Sequence, residues 1–208
     1  MQVYFAPLAC SMATRIALYE AGADAQYIQR DRSKRLPDGS DFTAINPLGM
    51  VPTLRTDDGE VLTENAAILQ YVAERFPGAG LAPTSGIARA RLHQWLSFIG
   101  TELHKAVFMP LLQPQQPADA KTYAAGLADA RLGILDKHLT DREFLLDRFS
   151  VADAYLFTVL NWSMATPIKF DRYPAIQAYV TRLQQRPSVA KAVGEEFALY
   201  KAERAKAA

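Results

Sequence analysis

A strand, a turn and a helix are encoded in residues 2–22, which read Gln2-Val3-Tyr4-Phe5-Ala6-Pro7-Leu8-Ala9-Cys10-Ser11-Met12-Ala13-Thr14-Arg15-Ile16-Ala17-Leu18-Tyr19-Glu20-Ala21-Gly22. The run from Gln2 to Phe5 contains strand-forming types and is followed by a proline. Apolar residues then recur at helical spacing, with Ser11 placed to cap the helix and Gly22 placed to end it. The pattern therefore puts Cys10 in a tight turn at the N-terminus of the first helix.

The sequence that follows continues an α/β pattern. Tyr27–Gln29 is predicted as a second strand, and Asn46-Pro47-Leu48-Gly49-Met50-Val51-Pro52-Thr53-Leu54 indicates a turn that runs into a third. Asp57-Asp58-Gly59-Glu60 is typical of a hairpin turn, so the strand at Val61-Leu62 is expected to pair antiparallel with the third. A helix that opens at Thr63-Glu64-Asn65 and runs through Arg75 completes the order βαβ–ββα.

The remainder of the chain reads as helical. Residues 77–86 are rich in Pro and Gly and indicate a linker. One apolar helix face follows, formed by Leu92, Trp95, Leu96, Ile99 and Leu103. Ser150-Val151-Ala152-Asp153 is a capping box, and residues 154–162 behind it are apolar on all sides, which predicts a central buried helix. We therefore expect two domains, an α/β domain over residues 1–78 and an all-helical domain over residues 87–208.

Composition excludes several classes of function. The chain has 208 residues and a net charge of +1, without the basic excess typical of nucleic-acid-binding proteins. One Cys and three His provide neither a disulfide nor the ligands of a structural zinc site, so no metal is expected. No apolar run approaches the roughly 18 residues of a membrane span. Leu8-Ala9-Cys10 is not preceded by a basic residue, so we interpret it as mature sequence in a reducing cytoplasm and not as a lipoprotein signal.

Cys10 has two interpretations at this stage. It is either a small buried hydrophobe under the first helix or a thiol with a chemical task. The N-terminus of a helix supplies free N–H groups and a positive dipole end, which lower the pKa of a thiol and stabilise an anionic sulfur. Because the chain has no Cys-x-x-Cys, any thiol–disulfide chemistry must take its second sulfur from a small thiol.

Two further segments carry groups that suit a small ligand. A cis proline at Val51-Pro52 would offer the backbone N–H and C=O of Val51 to an extended peptide, although cis X-Pro bonds occur at only about 5%. At Glu64-Asn65, a peptide carboxylate would find free N–H groups, and Glu64 would accept an ammonium group. The alternative for this second segment is a plain helix start with an acidic first turn.

A polar stripe lies beside the apolar face of the long helix. It consists of Ser97, Thr101, His104 and Phe108, with Lys105 next to His104. At physiological pH, His104 and Lys105 would meet an anionic sulfur or a nucleophile. The alternative is that His104 only fills space, since a single His on a helix is more often structural.

These pieces together resemble the glutathione transferases, specifically the bacterial beta class, over essentially the whole chain. Cys10 and the pair His104-Lys105 select the beta class over its relatives. Five motifs in order carry the resemblance: Tyr4-Phe5-Ala6-Pro7 leading to Ala9-Cys10-Ser11, residues 46–52, residues 62–71, residues 94–105, and residues 145–153.

The resemblance implies a thioredoxin-like N-terminal domain, an all-helical C-terminal domain that forms the co-substrate pocket and part of a dimer interface, and a homodimer. It implies that glutathione is the co-substrate. The backbone of Val51, which lies between Met50 and a cis Pro52, would pair with the cysteinyl part of glutathione. Glu64 and Asn65 would hold the γ-glutamyl end, where the family usually has Ser in place of Asn65. Either Lys34 or Arg35 would meet the glycyl carboxylate. Ser97 and Thr101 would contact the glutathione of the neighbouring subunit. The pocket for the electrophile would be bordered by His104, Lys105, Phe108 and Trp162.

The implied function is a cytoplasmic detoxification enzyme that conjugates the glutathione thiolate to small hydrophobic electrophiles. The catalytic candidates are Cys10, Ser11 and His104. Ser11 is expected to donate a hydrogen bond to the thiolate, whereas Cys10 would form a mixed disulfide with glutathione and support disulfide exchange or peroxide reduction. The alternative is a non-catalytic protein of the same fold that binds glutathione or a hydrophobic ligand.

Overall fold

The computed structural model describes residues 1–206, with side chains through residue 205. The chain divides into two compact units. The first contains residues 1–81 together with the segment that begins at Pro187, and the second contains residues 82–186. The last helix is therefore grouped with the N-terminal unit and not with the helical domain over residues 87–208 that the sequence predicts. The physical reason is a buried ion pair between Arg15 and Glu196, which joins that helix to the first helix.

The first unit is built on a four-stranded mixed sheet. Its strands are β1 (Gln2–Phe5), β2 (Gln26–Gln29), β3 (Thr53–Arg55) and β4 (Val61–Thr63), in the order β2-β1-β3-β4. β1 pairs parallel with β2 and antiparallel with β3, and β3 pairs antiparallel with β4 as the hairpin turn predicts. The thioredoxin-like arrangement expected for this half of the chain is confirmed.

Three α-helices complete the first unit: α1 (Met12–Glu20), α2 (Asn65–Arg75) and, at the end of the chain, Pro187–Lys206. Short 3₁₀ turns occur at Phe42–Ala44 and Pro77–Ala79. From Met12 to Leu18 every residue of α1 is buried, because α2 and the last helix both pack on it. The turn that carries Cys10 therefore leads into a helix that is enclosed on several sides.

The second unit is entirely helical within the described residues. One continuous helical stretch consists of α3 (Gly86–Phe98), a π-helical segment at Ile99–Phe108 and α4 (Met109–Leu112). It is followed by α5 (Ala118–Leu139), α6 (Val151–Asn161), a 3₁₀ turn at Trp162–Ala165 and α7 (Pro174–Gln184). The helix Pro187–Lys206, which belongs to the first unit, is labelled α8. As the sequence predicts, α6 is buried along its length, from Val151 to Leu160. No helix in the described part of the chain is long and apolar enough to cross a membrane.

The capping box predicted at the start of α6 is present and extends further than the motif requires. The Asp153 carboxylate accepts hydrogen bonds from the backbone N–H and hydroxyl of Ser150, at 2.9 and 2.8 Å. Its other oxygen accepts from the Leu145 N–H and the Tyr179 hydroxyl, each at 2.9 Å. Burial raises the pKa of Asp153, and these donors act against that shift. One carboxylate thus joins the start of α6 to the preceding loop and to α7.

Replacing Asp153 should destabilise the protein strongly. Asp153→Ala leaves buried donors without an acceptor, so we expect about 3 kcal/mol or more to be lost from the free energy of unfolding. Urea denaturation followed by circular dichroism measures it. Asp171→Ala removes an exposed carboxylate of the same unit, and its free energy of unfolding should stay within about 0.5 kcal/mol of that of the parent chain. Equal stability of the two variants would contradict a structural role for Asp153.

Candidate functional site

The loop between β1 and α1 carries Cys10 and is fixed to two other segments of the first unit. Cys10 is half-buried, and its Sγ donates to the backbone C=O of Val51 at 3.0 Å. The backbone C=O of Cys10 accepts from Nδ2 of Asn65 at 2.8 Å. The structure therefore brings together three of the sequence-predicted site segments: the Cys10 turn, the Val51-Pro52 segment and the start of α2.

Ser11 is the N-cap residue of α1, as the sequence predicts, but its side chain makes no capping hydrogen bond to the helix because its hydroxyl faces inward. The side chain is fully buried, and Oγ donates to the Ala6 C=O at 3.3 Å and accepts from the Ala6 N–H at 3.4 Å. These bonds close the turn between β1 and α1. A further hydrogen bond from this hydroxyl to a thiolate would require it to rotate away from Ala6.

The segment before β3 is held rigidly by local hydrogen bonds. The Val51–Pro52 peptide is cis. Asn46 Nδ2 donates to the Met50 C=O at 2.8 Å, and the Val51 side chain packs in a cluster with Tyr4 and Phe42. Met50 itself is exposed. The backbone of Val51 thus reaches the Cys10 sulfur while its side chain anchors the segment in the core.

Glu64 and Asn65 divide two tasks at the start of α2. Glu64 is the N-cap residue, with an exposed side chain and a left-handed backbone (φ 68°). Asn65 is buried, and besides its bond to Cys10 its Oδ1 accepts from Thr14 Oγ1 at 3.4 Å. The exposed carboxylate of Glu64 is therefore accessible to a cationic group, whereas the Asn65 side chain links α2 to α1.

Lys34 and Arg35 are both exposed but extend to different places. Lys34 Nζ donates to the Leu48 C=O at 3.3 Å, and its side chain lies over Gly49, where a Cβ would lie 2.5 Å from Lys34 Cδ. Arg35 Nη1 donates to the Gly39 C=O at 3.4 Å, within its own loop. Of the two cations, Lys34 is the one placed beside the turn that precedes Met50 and Val51.

In the second unit, His104 lies in a buried aromatic cluster. Its ring stacks edge-on against Trp162 at 4.8 Å between centroids, and Phe108 lies 6.1 Å from Trp162. Nδ1 of His104 is 2.7 Å from the Tyr155 hydroxyl. Burial, together with the neighbouring Lys105, lowers the pKa of His104 to about 4. His104 is consequently neutral at physiological pH and is not a cationic partner for a thiolate.

The other residues of the predicted polar stripe are exposed. Ser97, Thr101 and Lys105 all lie at the surface of the helical stretch that contains the π segment. Thr101 Oγ1 donates to the Ser97 C=O at 3.0 Å. The stripe therefore separates into a solvent-facing part and the buried pair His104 and Phe108. Within the described residues, no group of three or more His, Cys, Asp and Glu side chains is placed to hold a metal ion.

Comparison with known proteins places the chain in a family. Residues 9–75 match the glutathione S-transferase N-terminal domain, and residues 101–187 match the glutathione S-transferase C-terminal domain. Glutathione S-transferase GstA of Escherichia coli O157:H7 is 40% identical over 199 residues, which cover 94% of this chain and 98% of that protein. The chain belongs to the glutathione S-transferase family.

Solved structures agree with this assignment. A bacterial beta-class glutathione S-transferase from Sphingomonas chungbukensis is 45% identical, with a TM-score of 0.89, over 94% of this chain and 98% of that one. A sphingomonad glutathione S-transferase complexed with glutathione is 44% identical, with the same TM-score and the same coverage. A ternary complex of BphK, a bacterial glutathione S-transferase, reaches a TM-score of 0.91 at 42% identity, over 94% and 99% of the two chains. The resemblance to the beta class is confirmed.

Sequence reasoning missed three residues of this glutathione S-transferase that contact the predicted site residues or their helix. Tyr155 binds His104, and a Tyr on a helix expected to be buried on all sides signals a hydroxyl that needs a partner. Arg15 and Glu196 are buried together beside the Cys10 loop. Their separation of 181 positions along the chain left no local pattern to detect.

The lowered pKa of His104 makes stability depend on pH. The unfolded chain binds a proton at this His below about pH 6.5, but the folded chain does so only near pH 4. As the pH falls through this window, the contribution of His104 lowers the free energy of unfolding by about 2 kcal/mol between pH 7.5 and pH 5. In His104→Gln this part of the loss should vanish, which urea denaturation at both pH values measures. His93→Gln, at an exposed position, should keep the parental difference, and the same difference in His104→Gln would contradict the assignment.

Proposed function

We propose that this chain is a glutathione transferase that transfers the glutathione thiolate to small hydrophobic electrophiles, with a side activity in disulfide exchange or peroxide reduction through Cys10. The observation that carries the proposal is the contact of the Cys10 loop with both Val51 and Asn65. These are the segments expected to hold glutathione. The similar sphingomonad structure is described as a complex with glutathione, which supports the same ligand here.

The geometry supports an extended pose for the tripeptide. The backbone N–H and C=O of Val51 pair with the cysteinyl part, which requires the Cys10 thiol to release the Val51 C=O that it now binds. The ammonium of the γ-glutamyl end meets the exposed Glu64 carboxylate, and its carboxylate meets the N–H groups at the start of α2. Lys34 and not Arg35 receives the glycyl carboxylate, because Lys34 lies beside the turn that leads to Met50 and Val51.

This pose puts the glutathione sulfur near the N-terminus of α1. Free N–H groups and the dipole there favour the thiolate, which is the reactive nucleophile. In conjugation, the thiolate forms a carbon–sulfur bond and an anionic leaving group departs with its electron pair. In exchange, the Cys10 thiolate attacks the glutathionyl sulfur of a mixed disulfide between glutathione and a second thiol, forms a disulfide with that glutathionyl group and expels the second thiol as its thiolate. A free glutathione thiolate then attacks the glutathionyl sulfur on Cys10, which releases oxidised glutathione and frees the Cys10 thiolate.

The electrophile pocket is assigned to the second unit. Phe108 and Trp162 are assigned to the aromatic wall of this pocket, with Lys105 as the exposed cation at its edge. Because Phe108 is fully buried and Trp162 nearly so, a hydrophobic co-substrate would contact these rings only after neighbouring side chains move. His104 would act as a neutral hydrogen-bonding group fixed by Tyr155, since burial suppresses its charge. The exposure of Ser97 and Thr101 is compatible with a contact to glutathione of a partner subunit in a homodimer. A reducing cytoplasm keeps the single thiol available for this chemistry.

Replacing Cys10 should separate the two activities. Cys10→Ala removes the sulfur needed for a mixed disulfide, so disulfide exchange should fall to background. Conjugation of an aryl halide should keep much of its rate, because the α1 N-terminus remains. Spectrophotometric assays with glutathione and an aryl halide, and with a glutathione mixed disulfide, measure both. Equal loss of the two activities would show that Cys10 also serves conjugation.

The same assays decide between an enzyme and a binding protein of this fold. The parent chain should turn over at least one electrophile or disulfide. Retention on a glutathione resin without turnover of any tested electrophile, disulfide or peroxide would establish the non-catalytic alternative.

The two candidate cations for the glycyl carboxylate can be compared directly. Lys34→Met keeps the side-chain stem over Gly49 but removes the charge. We expect the KM for glutathione to rise about tenfold, which corresponds to the loss of one charge-assisted hydrogen bond. Arg35→Met, one residue away, should change that KM less than about twofold. Steady-state kinetics with glutathione varied gives both values, and the reverse ranking would move the role to Arg35.

A further inference from the structure

A carboxylate from the far end of the chain contacts the loop that carries Cys10. Glu196 lies on α8 with its side chain fully buried. Its Oε2 accepts from the backbone N–H of Leu8 at 2.7 Å, two residues before Cys10. Its Oε1 accepts from Nε of Arg15, on α1, at 2.9 Å. The same carboxylate therefore binds both the loop that carries Cys10 and α1, the helix that follows this loop.

The partner of this carboxylate is itself fixed. The Arg15 guanidinium lies over the rings of Tyr27 and Phe5, at 3.8 and 4.5 Å from their centroids. Its Nη1 donates to Glu195 at 3.2 Å and to the Tyr19 hydroxyl at 3.2 Å. Arg15 is thus surrounded by β1, β2, α1 and α8, and it presents Nε to Glu196 in one orientation.

The loop is held from two sides. Asn65 on α2 binds the C=O of Cys10, and Glu196 on α8 binds the N–H of Leu8, whose backbone is left-handed (φ 58°). Few non-glycine residues adopt this conformation without support from their surroundings. We propose that Glu196 is a positioning residue for Cys10: its carboxylate fixes the Leu8–Cys10 loop to α1 and so keeps the sulfur at the N-terminus of that helix.

Only a carboxylate satisfies both donors. Its two oxygens accept from Leu8 and from Arg15, whereas an amide or a protonated acid has one acceptor fewer and turns a donor toward one of them. Burial raises the pKa of Glu196 to about 7, and the Arg15 guanidinium and the Leu8 N–H oppose this shift. The other ionisable groups around it are Glu195, Tyr19 and Tyr27. The positioning contact is therefore expected to weaken as the pH falls below about 7.

The test uses Cys10 as its own reporter, since it is the only cysteine of the chain. Glu196→Gln imitates the protonated acid. When the loop loosens, the sulfur leaves the helix N-terminus, its thiolate fraction falls, and alkylation by iodoacetamide at pH 8 should slow at least about threefold. Glu195→Gln is the matched control, because this exposed neighbour binds Arg15 but not the loop. The alkylation rate of Glu195→Gln should stay within about 1.5-fold of that of the parent chain, a change too small to indicate a displaced thiolate.

A second measurement on the unaltered protein covers the case in which Glu196→Gln does not fold. The Leu8 amide signal in ¹⁵N-resolved NMR spectra should shift with pH and show a midpoint near 7, because its acceptor changes charge. An unchanged alkylation rate in a folded Glu196→Gln, or a Leu8 amide that does not move between pH 5.5 and 8.5, would overturn the proposal. The inference concerns the same Cys10 site as the proposed function. Neither readout needs glutathione, so a protein that fails to turn over substrates can still pass this test.

Discussion

Two hydrogen bonds to backbone groups fix the loop between β1 and α1, one from the Asn65 amide to the Cys10 C=O and one from the Leu8 N–H to the Glu196 carboxylate. These contacts set the position of the Cys10 sulfur at the start of α1, and the proposed glutathione chemistry depends on that position. They come from α2 and α8, so both helices contribute to the position of the thiol. The ion pair between Arg15 and Glu196 joins the last helix to the N-terminal unit.

The buried pair of Arg15 and Glu196 contributes more to the position of the Leu8–Cys10 loop than to the free energy of folding. Removing two charges from water is costly, and a buried ion pair often contributes little to the net free energy of folding. The aromatic faces of Phe5 and Tyr27 and the additional donors around the pair lower that cost. What the pair provides is a defined orientation of a carboxylate toward the backbone N–H of Leu8. The second unit shows a parallel case in Asp153, which also joins distant segments through one buried carboxylate.

Local signals in the sequence were sufficient for most of the architecture. The strand and turn before α1, the hairpin between β3 and β4 and the capping box at Ser150 each depend on residues within a few positions of one another, and each was predicted correctly. The π-helical segment at Ile99–Phe108 was not predicted, because π-helices are rare and the apolar spacing here was interpreted with the period of an α-helix. The return of α8 was missed because its decisive contact joins Arg15 to a residue 181 positions away. For the candidate site, motifs singled out Cys10, Val51 and Asn65, which are in contact in the structure. The charge state of His104 followed only from its burial in three dimensions.

Mass spectrometry shows whether the Cys10 thiol is held where it reacts with glutathione. The protein is incubated with oxidised glutathione and digested with trypsin without reductant. The chain has no Lys or Arg before Arg15, so Cys10 is found in the peptide of residues 1–15. We expect this peptide to carry one glutathione, which is released by added reduced glutathione. An unmodified Cys10 under conditions where glutathione is bound would contradict it.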